Sequence, residues 1–158
     1  MTHPHAGAWW SLLPFIDSGK ANASLSPANL VKQKQVTDGT DTAYALARKH
    51  GVKTAWGTDV LFQAEFTTEQ GSRLAALNRW CSSAEVLRMA TSVNAELLAE
   101  CGPRNPYGRL GVVAEGAVAD LLLVDGDPLA DLDHVSTPET SLAVILKGGA
   151  IVKDTSHP

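Results

Sequence analysis

Between residues 27 and 50 the apolar positions Leu30, Val31, Val36, Ala43, Ala45, Leu46 and Ala47 carry a helical pattern. Ser26-Pro27 opens this run as an N-cap serine followed by proline at the first helical position. Gly39 weakens its middle, so a kink or break is expected near residues 37–40. Gly51 stands where a helix C′ residue belongs, and a compact apolar run over residues 52–56 follows at once. Helix, glycine and short buried strand make the αβ half of a βαβ unit and predict a parallel sheet.

The strand ends in Gly57-Thr58-Asp59. Residues 60–68, with Phe62 and Phe66 exposed, read as a loop that could cover a substrate. The pattern predicts a helix over residues 68–80, with Leu74, Leu77 and Trp80 on one face. Ser82-Ser83-Ala84-Glu85 has the form of a capping box and starts another helix through Ala90. Residues 91–100 read as a second short helix with Ala95, Leu97 and Leu98 apolar. Gly102-Pro103 and Asn105-Pro106 then break the pattern, and Gly108, Gly111 and Gly116 punctuate the next stretch.

Residues 119–125 form an apolar run with an aspartate near each end, and Gly126-Asp127-Pro128 is a turn. Residues 131–135 are a short connection. Residues 142–147 and 150–153, joined by Gly148-Gly149, read as a β-hairpin. The chain thus divides into an irregular segment 1–26, a helix-rich part 27–101 and a small β module 108–153 of three or four strands.

Composition narrows the class. The chain has 158 residues, 44% hydrophobic and 19% charged, as in an ordinary globular domain with a real core. Thirteen basic and 17 acidic residues give a net charge of −4, with no Lys/Arg block that would serve a nucleic acid or an anionic membrane surface. No run reaches the ~20 apolar residues of a membrane span. Residues 1–20 lack a basic leader and are interrupted by Pro14, which makes a poor signal peptide. Cys81 and Cys101 do not form a Cys-x-x-Cys pair, and a reduced, cytoplasmic chain is expected. Trp9 and Trp10 lie in an apolar cluster that calls for a neighbour to bury it.

Chemistry concentrates at Asp59. A carboxylate placed where a strand gives way to a loop can point into a cleft, which is where barrels of alternating strands and helices keep their catalytic groups. An aspartate after Gly-Thr is also ordinary turn chemistry. His3 and His5 have the His-x-His form of a metal pair, but lie beside Pro4 near the start of the chain, with no strand leading into them.

Three stretches carry a resemblance to the amidohydrolase superfamily, nearest its imidazolonepropionase-related and Xaa-Pro dipeptidase-like branches. Gly51-Val-Lys-Thr-Ala-Trp-Gly-Thr-Asp59 is similar to the family's eighth barrel strand with its metal-site aspartate. Ser83-Ala-Glu-Val-Leu-Arg-Met-Ala-Thr91-Ser-Val-Asn-Ala95 resembles its following helix pair. The span from Gly108 through Ala119-Asp120-Leu-Leu-Leu-Val-Asp125 to Asp131, closed by Val144-Ile-Leu-Lys-Gly148-Gly, resembles its return into a β-sandwich. Their order across residues 27–153 makes the signal specific.

The resemblance implies an α/β chain: the last one or two βα units of a (β/α)8 barrel plus the C-terminal strands of a flanking β-sandwich. A whole barrel takes ~250 residues, more than this chain has. It implies hydrolysis of a C–N amide-type bond in a small-molecule substrate by metal-activated water. Asp59 is then both a ligand of a divalent metal, zinc by the family's habit, and the general base and acid. Of the family's ligands only this one maps here, and His3-Pro-His5 falls in the wrong place. One carboxylate does not hold a catalytic zinc, whose sites use about three protein ligands. The isolated chain is therefore expected to be incomplete and to associate with a missing barrel portion or with copies of itself, as Trp9, Trp10 and an exposed Trp56 suggest. The alternative is a non-catalytic module that oligomerises through its sheet edges, with Asp59 a turn residue.

Overall fold

The computed structural model describes residues 26–58, 64–105 and 107–156. Segment 1–25 with His3, His5, Trp9 and Trp10, and residues 59–63 with Asp59 and Phe62, lie outside the described residues.

Helix α1 spans Pro27–Lys49, capped by the Ser26 hydroxyl, which accepts the Asn29 N–H at 3.3 Å. It runs unbroken through Gly39, so the break expected there is absent. One glycine costs ~1 kcal/mol relative to alanine, too little to interrupt a 23-residue helix. The Thr37 and Thr40 hydroxyls bond back to the carbonyls of Gln33 and Val36 at 2.9 and 2.8 Å, so both threonines are accommodated within the helix. The helix ends as its sequence predicts. Gly51 adopts φ 61°, its N–H meets the Arg48 carbonyl at 3.2 Å, and the Val52 N–H meets that of Ala47 at 2.8 Å. This pair of bonds is a Schellman stop, which the left-handed glycine permits.

The strand expected over residues 52–56 is reduced to a single bridge residue, Thr54. Side chains of a later helix hold the segment: the Trp56 N–H donates to Asn94 Oδ1 at 2.9 Å, and Lys53 pairs with Glu96. Trp56, expected to be exposed, is half-buried against the core.

Helical structure resumes at a 3-10 segment, Ala64–Glu69, so residues 64–68 of the expected loop are already helical. Helix α2, Gln70–Ala75, and a second 3-10 turn, Ala76–Arg79, follow. Helix α3, Ser83–Arg88, begins with the predicted capping box. The Glu85 N–H donates to Ser82 Oγ at 3.4 Å, and the Ser82 N–H donates to Glu85 Oε2 at 2.8 Å. The two short helices expected over residues 83–100 are in fact continuous, because a π turn, Met89–Val93, joins α3 to α4, Asn94–Ala99.

Strands β1 (Leu121–Val124), β2 (Leu142–Lys147) and β3 (Ala150–Asp154) form an antiparallel sheet in the order β1-β2-β3. Gly148 and Gly149 both take positive φ, 57° and 83°, as a two-residue hairpin turn with the twist of its strands requires. The connection between β1 and β2 is more ordered than expected and forms two single helical turns, α5 (Asp133–Ser136) and α6 (Pro138–Ser141).

Leu74, Leu77, Val86 and Leu132 form the buried core, joined by Tyr44, Trp56, Trp80 and Val135. Each fully buried aliphatic contributes ~1.5–3 kcal/mol. Leu132 thus ties the sheet-bearing segment into the helical layer. Gly71 makes this possible: a Cβ there would overlap the Val135 carbonyl oxygen and stand 2.9 Å from the Ser136 Cα.

Candidate functional site

The described residues stop one short of Asp59, and they show how the chain is brought to it. The Schellman stop turns α1 into residues 52–58, where Ala55 is buried (2% exposed) and Trp56 packs against the core. Beneath Trp56 lies the junction of the π turn with α4, from which Asn94 presents its amide oxygen. The loop carrying Gly111 packs on that junction as well. Gly111, at φ 72°, sits so close that a Cβ would stand 2.5 Å from the Thr91 carbonyl oxygen and 2.9 Å from the Ala95 Cβ. Asn94 is the residue that sequence reasoning missed. Its signal was a lone amide in the Val93-Asn94-Ala95 run, but the partner 38 positions away has no local trace.

A second cluster lies where residues 52–58 begin. A pocket of about 120 Å³ is lined by Tyr44, Arg48, Val52, Trp80, Cys81 and Glu85. The Tyr44 and Trp80 rings stack with centroids 4.5 Å apart and planes 6° from parallel. Asp41 accepts both the Trp80 Nε1–H at 2.6 Å and an Arg79 N–H at 2.8 Å. Arg48 donates to the Trp80 carbonyl. Burial pushes the Tyr44 hydroxyl far above its ordinary range. Burial and then the Glu85 carboxylate push the Cys81 thiol up, with Arg48 opposing, so the thiol stays protonated and unreactive at neutral pH. The pocket touches Val52 and Thr54 at the entry to the segment, whereas Asp59 follows its exit.

His50 occupies the C-cap position of α1, as expected from its place beside Gly51. The ring of His134 covers Gly126, leaving no room there for a Cβ. Among the described residues no group of three or more His, Cys, Asp or Glu side chains could hold a metal ion. The donors present there do not fit a complete metal centre.

Residues 7–151 match the amidohydrolase family. Among solved structures, the chain is similar to an amidohydrolase (26% identity, TM-score 0.79), which covers 97% of this chain and is itself covered over 35%. It is similar to a prolidase complexed with N-methylphosphonate-L-proline (28% identity, TM-score 0.72; 94% of this chain, 33% of that one). It shares its fold with a Xaa-Pro dipeptidase solved with bound methionine (21% identity, TM-score 0.70; 94% and 34%). The chain therefore spans about a third of the length of the solved structures it matches. No curated protein matches it.

Proposed function

Because this chain belongs to the amidohydrolase family, we propose that it forms the C-terminal part of a metal-dependent hydrolase that cleaves C–N amide-type bonds in a small-molecule substrate. Residues 27–101 are then the end of a (β/α)8 barrel, and residues 108–153 are the closing strands of a flanking β-sandwich. The observation that carries the reading is the seating of residues 52–58: a segment fixed at its start by a Schellman stop and at Trp56 by Asn94, with a carboxylate next in line.

In this reading Asp59 accepts a proton from the attacking water and returns it to the leaving amine, the work of a positioned carboxylate. It also supplies one ligand to a divalent cation, zinc by expectation. About three protein ligands are needed, so the others come from the two-thirds of the family's length that this chain does not span. The prolidase likeness supports a substrate with an amide at a proline nitrogen as one member of the class. Leu122, Leu123, Ile151 and Val152 are more than half exposed, which supports association with the remaining barrel portion or with a second copy. The free thiols of Cys81 and Cys101 suit a reducing compartment such as the cytoplasm.

Calorimetric zinc titration tests the assignment, with this chain alone and joined to the first two-thirds of the amidohydrolase relative. Tight one-to-one binding is expected only in the joined protein, and Asp59→Asn should abolish it. Unchanged binding by Asp59→Asn would overturn the role of Asp59 and leave a folded module in which it is a turn residue.

A further inference from the structure

We propose that a groove along α1, floored by Gly39, is the docking site for a neighbouring helix of the barrel portion that this chain does not span; this rests on the barrel reading above. The groove has a volume of about 670 Å³ and is lined, among the described residues, by α1 alone. Val36, Gly39, Ala43 and Leu46 make its apolar floor, and Lys32 closes one end. These positions are spaced alternately four and three residues apart, which puts them on one stripe of the helix. Such a stripe is the seam into which a second helix packs. From residue 32 to residue 46 it runs ~21 Å, enough for about four turns of a partner.

Gly39 says that something covers this stripe. Among the described residues nothing stands within 4 Å of a Cβ placed on it. A glycine inside a helix is destabilising relative to alanine, so its place in the middle of α1 calls for a reason. Gly71 and Gly111 have theirs, because a Cβ at either would collide with the chain's own backbone. Gly39 gains one when a facing helix lays a bulky apolar side chain over it.

The other sides of α1 say what the cover is. At ~100° per residue, Gly39 and Arg48 stand on opposite sides of the helix. The Arg48 side is already taken: Arg48 donates to the Trp80 carbonyl, Tyr44 stacks on Trp80, and Asp41 accepts from Arg79 and Trp80. Buried Thr40 lies about a quarter turn from Gly39, between those two sides. A helix in the outer ring of a barrel has the same arrangement, one face inward and a neighbour on each flank. One neighbour of α1 is the Arg79–Trp80 turn. The other belongs to the remainder of the fold, since the amidohydrolase relative that covers 97% of this chain is itself covered over only 35%. The occupant is therefore an amphipathic helix with a large apolar residue over Gly39 and a carboxylate near Lys32.

Urea unfolding tests this on the chain as it stands and on the chain joined to the first two-thirds of the amidohydrolase relative, each with and without Gly39→Leu. In the chain alone the leucine enters open space and replaces a weak helix former with a strong one, so the midpoint should hold or rise. In the joined protein the same leucine meets the docked helix, and the midpoint should fall by about 0.5 M or more. Gly39→Ala should raise the midpoint in the chain alone and not in the joined protein, and it serves if Gly39→Leu does not fold. Ala45→Leu, on an exposed position outside the groove, should act alike in both proteins. An equal response to Gly39→Leu in the two proteins overturns the proposal. So does a fall in the chain alone: if that chain sediments as a monomer, its own residues 1–25 fill the groove, and if it is a dimer that Gly39→Leu dissociates, a second copy does. The zinc titration keeps the readings apart. Opposite responses to Gly39→Leu establish the docking even where Asp59→Asn leaves zinc binding unchanged. Equal responses, with Asp59→Asn still abolishing zinc binding, remove the groove alone.

Discussion

The helical layer of residues 70–99 and the three-stranded sheet of residues 121–154 bury their apolar side chains very differently. In the helical layer Leu77 and Val86 are 0% exposed, packed with Leu74 and with Leu132 from the segment that leads into the sheet. In the sheet Leu123 is 56% exposed and Ile151 62%, although both lie in hydrogen-bonded strands. The helical layer is held by packing. The sheet is held by its backbone ladder, by buried Leu142, by Lys153 Nζ donating to the Pro138 and Glu139 carbonyls, and by the helical turn α5 docked on α2. Three strands are near the lower limit for standing alone and gain from packing against a helix, so the sheet leans on that docking.

Breaking the docking is the severest test. Gly71→Ala puts a methyl group into the backbone of Val135 and Ser136, and backbone cannot move aside as a flexible side chain would. Overpacking costs 1–3 kcal/mol and occasionally more; here about 3 kcal/mol or more is expected, read as a fall in the midpoint of urea unfolding. If sheet and helical layer were independent, the helical signal would survive the mutation. A single cooperative loss of both would show that the sheet is stable only through Gly71.

A smaller effect isolates the helical layer. Ser82→Ala removes one arm of the capping box and should cost about 1 kcal/mol at neutral pH. The Ser82 backbone and side-chain hydrogen bonds hold the Glu85 carboxyl below its ordinary range, with burial opposing and Arg48 and Arg88 adding to the depression. A depressed carboxyl contributes its stability above the unfolded value and loses it as pH falls through the folded one. The Glu85 arm therefore weakens from about pH 5 downward. Thermal melts of wild type and Ser82→Ala should converge as the pH drops, and parallel curves would assign the cap to the serine alone.

Legibility in the sequence divides along the same line. Ser26-Pro27, Gly51, the Ser82–Glu85 box and Gly148-Gly149 each act within a few residues, and each shows in the structure as its local chemistry dictates. The misreadings needed a partner from far along the chain or a sum over many residues. Gly39 suggests a break only if its ~1 kcal/mol is weighed apart from the rest of α1. Trp56 reads as exposed until Asn94 and the core of Leu74 and Leu77 are brought under it. The π turn has no composition of its own, because Met89–Val93 reads as ordinary helix. The Tyr44–Trp80 stack likewise joins residues 36 positions apart (80 − 44) that no periodicity relates. Asp59 lies outside the described residues, and its role is a proposal from position and resemblance that the zinc titration tests.

The smallest effect on the isolated chain bears most directly on what the sheet is for. Ile151 pairs with Leu146 across the β2–β3 ladder and is mostly exposed, so Ile151→Thr removes little buried surface. Threonine keeps the β-branched shape that strands favour, and a surface change of this kind stays within about 0.5 kcal/mol. Stability by urea unfolding should thus be nearly unchanged. If a covering strand or a second copy seats on this face, the same substitution places a hydroxyl in an apolar contact. Light scattering or the zinc-competent joined protein should then show weakened assembly. Assembly that is indifferent to Ile151→Thr would mean that the exposed sheet face around Ile151 is not the contact surface.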